Sequence, residues 1–146
     1  MFDLWTALYH GVIYALLAGA VLVLAYLVLD LLTPGHLGRH LLGGEDHEAS
    51  YSAATVTAAW MVGNAAVIFT AIWTNGDTDL GYALLWTLVF GLVGCALNSV
   101  MLVAVDLVTP GNLRAVVCTP GRVVPLAVVS AAATLAISAI VCASIA

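Results

Sequence analysis

Four stretches of this 146-residue chain contain no Asp, Glu, Lys or Arg: residues 4–29, 49–76, 80–105 and 123–146. Each exceeds the roughly 18–20 apolar residues that carry a helix across the hydrocarbon core of a bilayer. No water reaches backbone N–H and C=O groups in that core, so a span must satisfy them internally, as a helix does. Composition agrees. Charged residues make up 8% of the chain and hydrophobic residues 64%, whereas a soluble domain has about 25% charged residues. Mean hydropathy is +1.14. The four stretches fill most of the chain and leave no room for a separate soluble domain. The expected fold is therefore an all-α membrane protein with four transmembrane helices, a single membrane domain over residues 1–146.

The start, Met-Phe-Asp-Leu-Trp, lacks the positive flank of a signal peptide, and the apolar run behind it is too long for one. It reads as a retained membrane helix. The chain has no lysine and a net charge of −5. That excludes a basic nucleic-acid-binding surface and a polybasic lipid-binding tail. Cys95, Cys118 and Cys142 show neither metal-ligand spacing nor a disulfide framework. His10, His36, His40 and His47 form no metal set by spacing either, although His36 and His40 stand four apart. Beside Arg39 they read as headgroup contacts.

One motif occurs twice. Asp30-Leu-Leu-Thr33-Pro34-Gly35-His-Leu37 is matched, 76 residues on, by Asp106-Leu-Val-Thr109-Pro110-Gly111-Asn-Leu113. Each copy closes a long apolar run, and each is followed by a short polar stretch and another run. The chain thus reads as a tandem repeat of two-helix units, about 1–76 and 77–146. Each unit has an even number of spans, so the two lie parallel in the membrane, and a pseudo-twofold along the membrane normal is the natural arrangement. The three arginines, Arg39, Arg114 and Arg122, all lie on the side of the two motifs, while the opposite connection carries Asp77 and Asp79. Positive residues favour the cytoplasm. Both turns are then cytoplasmic and both termini outside. Trp5, Tyr9, Trp73 and Tyr82 fall near the outer face, where an aromatic belt belongs.

A small chain with four spans and a repeated D-x-x-T-P-G-x-L, carried by Asp30, Thr33, Pro34, Gly35 and Leu37 and by Asp106, Thr109, Pro110, Gly111 and Leu113, resembles the domain of unknown function 350 family, also called uncharacterised transmembrane protein family 0719. The resemblance spans essentially the whole chain. It implies a bacterial inner-membrane protein with two such repeats, and it implies no reaction. Members often carry a basic residue directly after the TPG; here His36 and Asn112 stand there.

The motif has a physical logic. Pro34 lacks an N–H, and its ring excludes the carbonyl four residues back, that of Asp30; Pro110 and Asp106 repeat the relation. The threonine before each proline is pushed out of helical geometry. Pro followed by Gly suits a type II turn, with glycine supplying the positive φ. Each helix should stop within a residue or two of its threonine. Leu37, Leu41 and Leu42 could then face lipid along a short interfacial segment, with His36, Arg39 and His40 toward headgroups.

Two roles are open for the acids. Asp30 and Asp106 can finish their helices, paired with Arg39 and Arg114 nine and eight residues on. Alternatively, they face the bundle interior across the pseudo-twofold, as a proton- or cation-sensitive pair. Asn64 and Asn98 are the most polar side chains deep in the spans, suited to interhelical hydrogen bonds or to lining a path. Small residues at every fourth position, Ala15 and Gly19, Ala59 and Gly63, and Ser130, Thr134, Ser138 and Cys142, read as close-packing faces. No catalytic set, cofactor site or metal site is expected. The partners expected are the bilayer, other copies of the chain in a homo-oligomer, and a cytoplasmic protein. Two functions compete: an oligomeric channel or transporter for protons, cations or small cationic solutes, and a structural or scaffold subunit docking a cytoplasmic partner.

Overall fold

The computed structural model describes residues 4–33, 35–43, 48–75, 79–108 and 119–146. Four long helices dominate it: α1 (Leu4–Leu32), α3 (Tyr51–Asn75), α4 (Leu80–Val108) and α5 (Pro125–Ile145). A six-residue helix, α2 (Leu37–Leu42), follows α1. There is no named strand among the described residues. All four long helices are long and apolar enough to cross a membrane. The chain is a multi-pass membrane protein.

The helix ends follow the turn chemistry. α1 runs past Asp30 and stops at Leu32, and α4 runs past Asp106 to Val108, the residue before Thr109 of the second motif. Pro at the first helical position opens α5, where its missing N–H costs nothing. Ser50 opens α3: its Oγ accepts the N–H of Ala53 at 3.2 Å, as an N-cap does.

α3 and α4 pack against each other, and α1 and α5 each lie against both of them. α1 and α4 run one way, α3 and α5 the other. A twofold exchanging α1 with α4 and α3 with α5 would carry the α3–α4 interface onto an α1–α5 interface. No comparable α1–α5 interface exists. The bundle is closed more tightly on the α3–α4 diagonal than an exact repeat of the two units would be.

In a bilayer, helices gain nothing by leaving lipid for an equally apolar neighbour, so close packing and hydrogen bonds hold them together. Three glycines provide the close approach. A β-carbon on Gly91 would lie 2.9 Å from Val21 Cγ1, and one on Gly94 would lie 3.0 Å from Val67 Cγ1. At Gly63, Ser138 Oγ occupies the space a β-carbon would need. Trp60 is fully buried, and its indole N–H donates to Ala25 O of α1 at 2.9 Å. It anchors the core cluster toward the TPG end, with Ala25, Leu29, Leu37, Val56 and Leu102. Trp5, Tyr9, Trp73 and Tyr82 are exposed at the opposite end, where the aromatic belt was expected.

The small-residue faces divide. Ala59 and Gly63 are buried, as are Ser130, Thr134 and Ser138 on α5, while Cys142 is half-buried. Ala15 and Gly19 are exposed on α1, and Gly19 has nothing within 4 Å of its absent β-carbon.

Candidate functional site

The first motif builds a closed turn. With Pro34 unable to continue the helix, Thr33 N–H takes both Leu29 O at 3.0 Å and Asp30 O at 3.3 Å. Thr33 Oγ also donates to Leu29 O at 2.8 Å. The carbonyl that proline frees is thus partly taken up by the residue just before it. Gly35 then turns the chain with φ of 86°, the positive value that the third position of a type II turn requires.

Asp30 Oδ1 accepts the N–H of Leu37, the first residue of α2, at 2.6 Å. His36 at the cap position makes no side-chain cap, so the carboxylate seven residues upstream does that work. A negative group suits this end of a helix. Its other oxygen lies 4.0 Å from His36 Nδ1. Arg39, the expected partner, is exposed and makes no ion pair with Asp30. A nine-residue separation permitted that pair, but the turn closes on its own backbone first. The interfacial picture of α2 also needs correction. Leu37 does not face lipid: it is 2% exposed and belongs to the core. Leu41 packs against that core, and only Leu42 is exposed. The motif's acid and its last leucine act together: the carboxylate holds Leu37 N–H while the Leu37 side chain plugs the bundle.

Asp106 is half-buried in the last turn of α4, at the same end of the bundle. Thr109, Pro110, Gly111, Leu113 and Arg114 lie outside the described residues, as does Pro34.

A third Thr-Pro-Gly, Thr119-Pro120-Gly121, falls outside the repeat pattern because it precedes a helix instead of ending one. Gly121 also has a positive φ, 95°. Its segment is sewn to the start of α3. Gly121 N–H donates to Ala49 O at 3.3 Å, and Gly121 O accepts from Tyr51 N–H at 3.4 Å, a short parallel bridge. Ser52 Oγ accepts Val124 N–H at 2.8 Å and donates to Arg122 O at 3.4 Å. Ser50 N–H reaches back to His40 O of α2 at 2.8 Å. Two neighbouring segments and a third about 70 residues further on thus form one braced cap at the TPG end, with Arg39, Glu48 and Arg122 exposed on it.

Deeper in the bundle lies a polar layer. Asn98 Nδ2 donates to Ser138 Oγ at 3.0 Å, the interhelical bond expected of it. Ser138 in turn packs on Gly63, so α3, α4 and α5 meet at one level. α3 and α4 are antiparallel, and Gly94 meets Val67; one turn toward the TPG end therefore puts Asn98 level with residues 63 and 64. Asn64 differs from expectation. Its Nδ2 donates within its own helix to Trp60 O at 2.9 Å. Its Oδ1 is buried without a hydrogen-bond partner.

Two apolar grooves run along the membrane-facing side of α4, one past Ser99, Val103 and Leu107, the other past Leu97, Met101 and Ile137. Among the described residues, neither acid lines either groove. No group of three metal-ligating side chains comes together among the described residues. His40 instead sets its Nε2 against Gly35, 3.1 Å from where a β-carbon would stand.

No curated protein and no solved structure matches this chain. A family model does, over residues 3–145. With four membrane-spanning helices and a Thr-Pro-Gly turn whose acid caps the next helix, the chain belongs to the family described as Domain of Unknown Function (DUF350).

Proposed function

We propose that this protein is a non-enzymatic structural subunit of the bacterial inner membrane, with its TPG end in the cytoplasm, that assembles with copies of itself and docks a cytoplasmic protein. The braced cap carries this reading. Hydrogen bonds from α2, the start of α3 and residues 119–124 fix a surface that could have been loose loops. That surface displays Arg39, Glu48 and Arg122. Lateral assembly uses α1, the least buried span, where Gly11 and Gly19 have no neighbour within 4 Å.

A second reading, movement of protons, cations or small cationic solutes, draws support from Asp106, a carboxylate half-buried at the end of a membrane-spanning helix. Close packing at Gly63, Gly91 and Gly94 fills the bundle at those levels, so this reading routes the path between protomers.

Purified protein in liposomes separates the two. Absence of proton or potassium flux from the wild type, with photocrosslinking from Arg39 and Arg122 positions to one discrete protein in cells, supports docking. Flux that disappears in Asp30→Asn/Asp106→Asn, with cap positions crosslinking to lipid alone, overturns it in favour of transport.

A further inference from the structure

Asn64 is 1% exposed and sits in a span, far from bulk water. The orientation of its carboxamide is fixed by chemistry: the group facing Trp60 O must be the NH₂, since an oxygen there would repel the carbonyl. Oδ1 consequently points the other way, where it meets no donor. A buried acceptor surrounded by apolar groups is destabilising unless something donates to it.

The face that Asn64 occupies is known from its neighbours one turn on either side. Trp60 bonds α1, and Ile68 lies beside Gly91 of α4 together with Val21 of α1. Asn64 therefore looks into the seam between α1 and α4. Asn98 is the polar residue that the antiparallel register brings to that level of α4. Its Nδ2 carries two hydrogens and gives one to Ser138. One acceptor without a donor and one remaining donor hydrogen thus share a layer in the middle of the bundle.

We infer that this layer holds a buried water molecule, which donates a hydrogen bond to Asn64 Oδ1 and accepts one from Asn98 Nδ2. Water fits the chemistry because it supplies a donor and an acceptor at once, and buried waters occupy sites that offer two or more polar partners. Such a molecule ties α3 to α4 at the level where Ser138 already ties α4 to α5. All three helices are then cross-linked in one polar layer, independently of either function proposed above.

The test is water-selective magnetisation transfer to side-chain amides in ¹⁵N-labelled protein in deuterated detergent. Direct transfer from water to the Nδ2 protons of both Asn64 and Asn98 is expected. It persists in Ser138→Ala, which removes the hydroxyl as a relay. In Asn64→Leu the Asn98 signal is lost while the backbone spectrum stays folded. Absence of transfer at both side chains in folded wild type overturns the inference. So does transfer that vanishes in Ser138→Ala, or an experimental structure in which Asn98 Nδ2 donates directly to Asn64 Oδ1.

Discussion

Gly63→Ala is the smallest change that tests how the bundle is held together. The added methyl needs the space that Ser138 Oγ occupies, and Ser138 Cβ lies only 3.1 Å from it. Either Ser138 turns to another rotamer and drops Asn98, or α3 and α5 move apart. Losing the hydrogen bond costs about 0.6–1.7 kcal/mol in a membrane protein. Overpacking costs about 1–3 kcal/mol. Against these, alanine gains about 0.5–1 kcal/mol over glycine within a helix. The net expectation is a loss of about 0.5–2 kcal/mol. Equilibrium unfolding in mixed micelles, followed by far-ultraviolet circular dichroism, measures it. Ser138→Ala removes the obstructing oxygen, so the double variant should be more stable than the sum of the single losses by about 1 kcal/mol or more. Should Gly63→Ala match or exceed the wild type, or should the two losses simply add, the close contact does not exist as described.

Three further expectations use the same measurement. Asp30→Ala should cost about 1–2 kcal/mol by removing the cap on Leu37 N–H, while Asp30→Asn, which keeps an oxygen acceptor, should cost less than half of that. Equal losses would mean that charge, not capping, is what matters there. Trp60→Phe should cost about 1 kcal/mol for the indole bond to Ala25 O, and an unchanged midpoint would show that bond to be idle. Gly121→Ala, at positive φ, should cost about 1–2 kcal/mol, whereas Gly11→Ala, in a helix with open space around it, should be neutral or stabilising.

The spans were legible because a bilayer imposes a length and forbids charge. The charge-free runs end within a few residues of the helices, and Pro34 marks where α1 stops. Which side of each span faces protein was not legible. In water an apolar residue points inward, but in lipid both directions are apolar, so Leu37 and Leu42 look alike in sequence and part company in the structure. Spacing has the same limit: Ala15 with Gly19 and Ala59 with Gly63 read identically, yet only the second pair is buried. Asp30 is legible as a turn residue, but its partner is not. A charged arginine is the obvious candidate on paper, whereas a backbone N–H seven residues away has no signature of its own. Trp60 gave a signal that could have been used, since a tryptophan in mid-span needs a partner for its N–H.

The strap between the start of α3 and residues 119–124 bears on the order in which the protein can be made. Ser52 waits for groups 70 and 72 residues further along the chain. A ribosome that has delivered the first two spans to the membrane has therefore not yet delivered what finishes the second of them. The opening turn of α3 must be tended by water, lipid headgroups or the insertion machinery until the last span arrives. Its arrival latches the start of α3 to the entry of α5 in one step, so a product truncated before residue 119 is marked by an unfinished helix start.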